Sequence, residues 1–503
     1  MTLTLIPRIE SAGLTDGALF VDGKWRESNS GGTWSHHHPA TGEVIGSFAE
    51  ADENDVRSAV AAARSTFDDG RWARMRAGER AKLLHRYAEL LRANAQNLRE
   101  LLALDNGVPL SFGGIYAGSV DVAADAFDHH AGWIDKLGGE TLPAYQGGEH
   151  VAMTFREPVG VVAAILPWNA PFLLYAQKVA PALATGCTVV LKPSEYATFA
   201  VLRMVELLQE AGLPDGVLNV VTGRGETVGE ALITDPEVDK ITFTGSRRVG
   251  QRIIEASAKS FARVSLELGG KSPAVVFADA PDVGLAAMTT MGTVTMGLNG
   301  QACVAQTRAL VHRDVYEQFI ASAQMFAGMV SYGDPFEPGT MSAPLINEKQ
   351  LDRVTGLIDR ATSDGARLVC GGERMQGDLA NGNFVSPALF ADVDNHSELA
   401  REEVFGPVLA VIPFSTEEEA LDLANDTEYG LGATVFTTDL KRAFRVSRGI
   451  RAGHIGVNGY QVEPNTPFGG FKTSGIGREG GRGSIEAFTE LKTVLIPTGD
   501  ELM

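Results

Sequence analysis

The chain has 503 residues, of which 44% are hydrophobic and 21% are charged. This composition is typical of a globular protein and excludes a disordered one. A formal net charge of −20 makes binding to nucleic-acid phosphates unfavourable. The length exceeds what one hydrophobic core supports and predicts two or three domains.

Cysteine usage and the apolar runs favour a cytoplasmic protein that does not span a membrane. The three cysteines, Cys187, Cys303 and Cys370, are odd in number and form no CxxC pair, as expected in a reducing compartment. The first residues, MTLTLIPRIESAGLTDG, lack a basic segment followed by an apolar core, so no signal peptide is predicted. The longest apolar run, VGVVAAIL at 159–166, is far shorter than a membrane span.

The N-terminal third is predicted to be an irregular arm followed by helices. The first 35 residues look irregular, and the histidine run at 36–38 is interpreted as a solvated loop. From about 52 to 135, apolar residues recur at i, i+3, i+4 and i+7, which indicates amphipathic helices. A pair of histidines at 129–130 also falls within these helices. No convincing third ligand accompanies it, so no metal site is predicted.

From residue 159 the hydrophobic period changes to that of a parallel α/β fold. The short apolar strands VGVVAAIL, TVVLKP, GVLNVV, KITFTG and RVSLELGG alternate with helical segments. This alternation predicts βαβ units with helices on both faces of a sheet. A second α/β block is expected over 270–470.

Ligands of parallel sheets bind beyond the carboxyl ends of the strands, so the residues that follow each strand are candidates for a site. In FTGSRRVG, Gly245 and Ser246 stand between a strand and a helix, where free N–H groups and the helix dipole would favour a phosphate. In KPSE, Lys192 and Glu195 could both bond a ribose, with a surface ion pair as the alternative. A carboxylate there would repel a 2′-phosphate, which favours NAD over NADP.

Three further residues could carry chemistry. Cys303 lies in LNGQACVAQTR, outside any apolar strand, so it could be a reactive nucleophile; the alternative is a buried structural thiol, which fits Cys187 and Cys370 well. Glu267 ends a buried strand and could be a general base. Asn169 could donate to an oxyanion or cap a helix.

Seven motifs occur together in one order over residues 165–479: LPWNAP, LKPSE, FTGS, LELGGKSP, GQAC, EEVFGPV and PFGGFKTSGIGRE. This combination closely resembles the aldehyde dehydrogenase superfamily, and the resemblance extends over nearly the whole chain. Each motif alone has little specificity, but seven in order are specific. We therefore expect an NAD(P)-dependent enzyme of the hydrolytic type.

The resemblance implies a role for each matched residue. Cys303 matches the nucleophile, Glu267 the general base, Asn169 the oxyanion donor and Glu479 a second acid that assists proton transfer. The expected cofactor is NAD, with NADP less favoured. The residues implied to hold it are Ile165, Trp168, Lys192, Ser194, Glu195, Gly225, Gly229, Phe243, Gly245, Ser246, Val249, Leu268, Glu403 and Phe405.

The implied reaction oxidises an aldehyde to a carboxylic acid through a cysteine thiohemiacetal and a thioester. For the substrate pocket, Ala170 and Gln177 stand where many members carry bulky aromatics, which predicts a wider, more polar-walled tunnel. The other expected pocket residues are Ala302 and Val304, which flank the nucleophile, and Phe468, an aromatic wall. Glu463, expected near the tunnel mouth, would disfavour anionic aldehydes.

The family architecture predicts a Rossmann-like cofactor domain (1–138 and 159–269), a second α/β catalytic domain (270–470) and a small β oligomerisation arm (139–158 and 484–497). Homodimers or homotetramers are expected. Two alternatives remain. A CoA-acylating aldehyde dehydrogenase typically lacks the acid at Glu267, and a non-catalytic member would be expected to lose the nucleophile or the base.

Overall fold

The computed structural model describes residues 6–13, 15–112, 119–143, 145 and 150–498. Its helices are α1 Ile6–Ala12, α2 Glu53–Asp69, α3 Ala77–Ala93, α4 Ala95–Asn106, α5 Val120–Ala131, α6 Pro171–Thr185, α7 Phe199–Glu210, α8 Glu230–Thr234, α9 Arg247–Ser260, α10 Val283–Thr295, α11 Tyr316–Ala327, α12 Glu348–Ser363, α13 Glu398–Arg401, α14 Glu417–Asn425, α15 Leu440–Gly449 and α16 Gly481–Glu486. No helix within these described ranges is both long and apolar enough to cross a membrane.

The strands are β1 Leu19–Val21, β2 Lys24–Arg26, β3 Thr33–His37, β4 Val44–Ala49, β5 Thr141–Leu142, β6 His150–Pro158, β7 Val161–Ile165, β8 Thr188–Lys192, β9 Leu218–Val220, β10 Lys240–Thr244, β11 Arg263–Glu267, β12 Pro273–Val276, β13 Arg308–His312, β14 Arg367–Cys370, β15 Ala388–Ala391, β16 Val408–Phe414, β17 Gly432–Phe436, β18 His454–Val457, β19 Gly475–Ile476 and β20 Thr489–Pro497. They form three larger sheets and the β3–β4 hairpin.

The first sheet has the order β19-β11-β10-β7-β8-β9-β1-β2, with five parallel strands from β11 to β9. Successive side chains of a strand face opposite sides. Accordingly, Val162 and Ala164 of β7 pack into one hydrophobic cluster, while Val161 and Ala163 pack into the cluster on the other face. Burial on both faces explains why these strands read as continuous apolar runs.

The second sheet has the order β14-β15-β16-β13-β12-β17-β18 and is parallel except for β14 at its edge. The third sheet, β20-β6-β5, is antiparallel, and β20 pairs with β6 over nine residues. The expected α/β class with a parallel-sheet domain is therefore confirmed.

Three local expectations are wrong. The first 35 residues are not irregular, because α1 lies there and β1 and β2 extend the first sheet. The histidine run is not a solvated loop: His36 and His38 are buried, and their Nε2 atoms bond the carbonyls of Asp105 and Ala103. Cys187 is buried, but Cys370 lies on the edge strand β14 and is partly exposed.

Candidate active site

The strand register aligns the carboxyl ends of the central strands. Ile165 pairs with Lys192 on one side and with Phe243 on the other, and Thr244 pairs with Glu267. Residues that follow these strands therefore meet at one edge of the first sheet. This edge brings together most of the residues predicted to hold a dinucleotide.

At the β8 end, Lys192 is buried and its Nζ lies 3.6 Å from Glu195 Oε2. Burial lowers the pKa of Lys192, an effect that Glu195 opposes. Ser194 is buried, and its Oγ accepts a hydrogen bond from the N–H of Tyr196. The ion pair positions a carboxylate, itself partly exposed, beside the strand end.

The neighbouring Gly225–Gly229 segment forms one turn of π-helix before α8. A Cβ on Gly225 would meet nothing within 4 Å, and one on Gly229 would approach only the Lys192 side chain, at 3.8 Å. Gly229 thus lies beside the Lys192 side chain, and Gly225 faces open space.

After β10, Ser246 is the N-cap of α9, and its Oγ accepts a hydrogen bond from the Val249 N–H at 3.4 Å. Ser246 is exposed, and a helix N-terminus attracts anions. A Cβ on Gly245 would lie 2.4 Å from the tip of the Phe243 ring, so a larger residue there would displace that ring. Leu268 packs against Gly250 of α9 and fixes the helix at the sheet edge.

The loop after β11 connects the two sheets. The N–H of Gly270 donates to Glu403 Oε1 at 3.0 Å, and a Cβ on Gly269 would lie 2.3 Å from the same carboxylate. A Cβ on Gly270 would lie 2.2 Å from the Cys303 carbonyl oxygen. The two glycines therefore allow Glu403 and the Cys303 loop to approach the end of β11.

Cys303 lies in the loop between α10 and β13 and is partly exposed. Asn169 is buried in front of α6, and its Nδ2 donates to the Gln301 carbonyl at 2.9 Å. This bond holds the Asn169 amide against the loop that carries the thiol. Burial, reinforced by the charges of Glu403 and Glu267, raises the pKa of Cys303 far above the usual thiol value.

Glu267 is buried, and its Oε2 has no hydrogen-bond partner within the described part of the chain. Burial raises the pKa of Glu267 well above its usual value, the charge of Glu479 raises it further, and that of Lys178 opposes the shift. Glu479 is itself buried and is paired with the fully buried Lys178 of α6. Two carboxyl groups and one ammonium thus form a buried chain beside Cys303.

An aromatic pair lies at the junction of the two sheets. The rings of Trp168 and Phe405 are 5.4 Å apart and nearly perpendicular. Phe405 has a positive φ of 56°, which is strained for an aromatic residue. Glu403 lies two residues before it, and burial raises the pKa of this carboxyl to about 7.

A cavity of about 460 Å³ lies beside Cys303. Ala302 and Val304, the two neighbours of Cys303, line it together with Tyr460 and one face of α10. Of the other expected pocket residues, Ala170 packs with Leu174, Gln177 is buried and Phe468 packs against Cys303 and Val304. None of these three lines the cavity, and Glu463 is exposed outside it.

The model of the aldehyde dehydrogenase family matches residues 25–494. The chain belongs to the aldehyde dehydrogenase family.

Relatives of this aldehyde dehydrogenase match it along nearly its full length. An aldehyde dehydrogenase from Enchytraeus buchholzi is 42% identical over 487 residues, covering 96% of each chain. A phenylacetaldehyde dehydrogenase from Pseudomonas fluorescens is 42% identical over 486 residues, covering 95% of each. The crystal structure of betaine aldehyde dehydrogenase from Staphylococcus aureus in complex with NAD⁺ superposes with a TM-score of 0.95 at 34% identity, covering 99% of this chain and 98% of that one.

Two residues of this aldehyde dehydrogenase site are not predicted from the sequence. Lys178 lies in the apolar helix α6, and its partner Glu479 is 301 residues away. A lysine inside a run of buried apolar residues is the signal that could have found it, because such a charge requires a partner. Tyr460 is packed against the cluster around Cys303 and has no comparable signal in the sequence.

Proposed function

We propose that this aldehyde dehydrogenase oxidises an aldehyde to a carboxylic acid through a thioester on Cys303, with NAD⁺ as the hydride acceptor. The observation that carries the proposal is the convergence at the end of β11. There the Cys303 backbone touches Gly270, Asn169 is bonded to the same loop, and Glu267 is close enough to raise the pKa of the thiol.

The residues at the sheet edge fit a dinucleotide. Lys192 and Glu195 would hold a ribose beside Gly225 and Gly229, and Ser246 at the α9 N-terminus would face the pyrophosphate. Glu403 and Phe405 would hold the nicotinamide end. The bound nicotinamide supplies the acceptor for the hydride that leaves the substrate carbon.

The protein's own groups account for the other steps. Cys303 Sγ bonds to the carbonyl carbon as its proton passes to a base. The oxyanion is stabilised by Asn169 Nδ2 and by the Cys303 N–H, and loss of one such donor costs about 10²–10³-fold in rate. After the hydride has left, Glu267 removes a proton from water, the oxygen of which attacks the thioester. The C–S bond then breaks and the sulfur regains a proton.

The buried chain beside Cys303 supports Glu267 as the base. A carboxylate whose pKa is raised accepts a proton more readily near neutral pH than an ordinary glutamate does. Glu479 and Lys178 lie behind it and provide a route for that proton away from the thioester.

We further propose that the three sheets belong to three domains with different functions, and that these domains have the predicted boundaries. Residues 1–138 and 159–269 hold the cofactor, 270–470 carry the nucleophile, and 139–158 with 484–497 form the arm. Residues 1–5, 14, 113–118, 144 and 146–149 of these ranges lie outside the described residues. The Glu195 carboxylate would repel a 2′-phosphate, so NAD is preferred to NADP.

The test is Glu267→Gln, assayed by NADH absorbance and by acid release. We expect a burst of NADH near one per active site, then acid release slower by about 10²–10⁴-fold, the usual contribution of a positioned base. Hydroxylamine should restore turnover by attacking the thioester directly. Unchanged acid release would remove Glu267 as the base, and faster release with CoA than with water would indicate a CoA-acylating enzyme.

A further inference from the structure

The cavity beside Cys303 is much larger than a two- or three-carbon aldehyde requires. Its volume of about 460 Å³ falls within the range of sites that bury drug-sized ligands. Its walls share residues with the cluster around the nucleophile, since Val304 and Tyr460 both line the cavity and pack with Cys303. The cavity therefore adjoins the place where the carbonyl must lie.

One face of α10 forms a wall of the cavity. Met288 and Gly292 lie four residues apart on one face of this helix, and Met296, the C-cap residue just after it, continues the wall. A Cβ on Gly292 would meet only ordinary contacts, at 3.5 Å from Met296 Sδ and 3.8 Å from the Phe326 ring. Because neither backbone conformation nor close packing requires glycine there, and glycine weakens a helix interior, the missing side chain serves to keep the cavity open.

The described part of the wall is rich in aromatic and thioether groups. None of the described residues that line the cavity is Asp, Glu, Lys or Arg, and Phe112, Phe326 and Tyr460 contribute rings. A charged group buried there would lack a partner and would be unfavourable. The predicted polar wall from Gln177 is absent from this cavity, so an uncharged apolar ligand suits it best.

We infer that the substrate is an aldehyde with a bulky, uncharged, apolar tail, of the size of a medium-chain, aromatic or terpenoid aldehyde. The tail occupies this cavity while the carbonyl reaches Cys303 between Ala302 and Val304. The inference rests on the proposed function and extends it to the substrate class.

The first experiment compares kcat/KM of the wild-type enzyme, with NAD⁺, over straight-chain aldehydes from propanal to decanal. Each methylene that enters the cavity should raise kcat/KM, by at most about fourfold. A further comparison uses two aldehydes of the same shape, 3,3-dimethylbutanal and betaine aldehyde. The first has a neutral quaternary carbon where the second has a positively charged nitrogen. The neutral member should be preferred, and preference for betaine aldehyde would overturn the inference by indicating an aromatic cage for a cation.

The second experiment fills the cavity with Gly292→Leu and measures the ratio of kcat/KM for nonanal to that for propanal. The ratio should fall at least tenfold, and it does not depend on the fraction of enzyme that is folded. Gly356→Leu, the same change at a helical glycine of α12 outside the cavity, should leave the ratio unchanged.

The outcomes separate the two proposals. Aldehyde oxidation with no length preference, or an unchanged ratio in Gly292→Leu, would overturn the assigned substrate class alone. Failure of the wild-type enzyme to oxidise any aldehyde would overturn the proposed function and this inference with it.

Discussion

Burial, together with neighbouring acids, sets the protonation state of the Cys303 thiol. Burial and the charges of Glu403, Glu267 and Glu479 all raise its pKa. The thiol is therefore protonated at neutral pH in the free protein, and in the proposed mechanism a base removes its proton before attack. Burial has the largest effect on the pKa of this thiol, and the neighbouring charges add to it.

The change Glu403→Gln tests this dependence. Removal of a nearby negative charge favours the thiolate, so the pKa of Cys303 should fall. In the free enzyme, the pH profile of inactivation by iodoacetamide should therefore shift to lower pH. Glu402→Gln, at the exposed neighbouring position, is the matched control and should leave the profile in place. Identical profiles for the two variants would show that Glu403 does not act on the thiol.

At this scale, the sequence identifies residues whose surroundings are unusual for their type. Cys303 stands outside any apolar strand and Glu267 ends a buried one, so the hydrophobic pattern alone marks both as candidates. His36 and His38 are misassigned to a solvated loop because burial of a histidine depends on a distant carbonyl partner, here Asp105 and Ala103. Nothing local in the sequence marks such a partner.

Helix α6 is tied to the segment before α16 by one buried ion pair. Lys178 and Glu479 are both removed from solvent, so each charge depends on the other for compensation. Removal of one partner of a buried pair costs about 3–5 kcal/mol, whereas replacement of both by neutral groups costs far less.

We therefore expect Glu479→Gln and Lys178→Met each to lower the Tm by roughly 3–5 °C, given about 1 °C per kcal/mol for a chain of this length. The double variant should recover much of the loss. The exposed pair Arg360–Glu398 offers a control, since Arg360→Met should change the Tm by about 1 °C or less. Additive losses in the double variant would refute the coupling.

The elements themselves are predictable where burial is complete. Strands β7, β8 and β10 are buried along their length, so their apolar runs stand out between helices. The strands β1 and β2 are not predicted because each is only three residues long. The pairing of β1 with β9 depends on the tertiary fold, since the two strands are far apart in the sequence. The role of Gly292 is equally hidden, because a helical glycine is interpretable only once its neighbours are known.

At the scale of the whole molecule, the sheet β20-β6-β5 exposes several large apolar side chains. Leu491 and Leu495 of β20 are exposed at 60% and 62% on one face of this sheet, and Phe155 of β6 is exposed at 45% on the other. Exposed apolar side chains on a sheet are typical of an interface between protein chains. The oligomerisation arm stays a prediction that this surface makes testable.

We expect the protein to form dimers or tetramers, and Leu491→Lys with Leu495→Lys to reduce the molar mass in light scattering. Lysines buried in the contact would repel each other across it, and the removal of their charges from water would cost free energy. Leu440→Lys, at an exposed leucine of α15, should leave the mass unchanged. A monomeric wild-type protein would refute the assignment of the arm.

The assembly of the site from two sheets is predictable only through the family resemblance. Motif order places Glu267 and Cys303 in one site, but their approach depends on Gly270, against which the Cys303 carbonyl packs. Periodicity describes each sheet separately and gives no information on how one lies against the other. The cavity is beyond prediction for the same reason.

The central claim is that Cys303 forms the thioester, and intact-protein mass spectrometry of enzyme quenched during turnover tests it most directly. We predict an acyl adduct derived from the substrate that maps to Cys303, and none in Cys303→Ala, which should bind NAD⁺ in a fluorescence titration but form no NADH. Aldehyde oxidation at a normal rate by Cys303→Ala, or an adduct on another residue, would contradict the account.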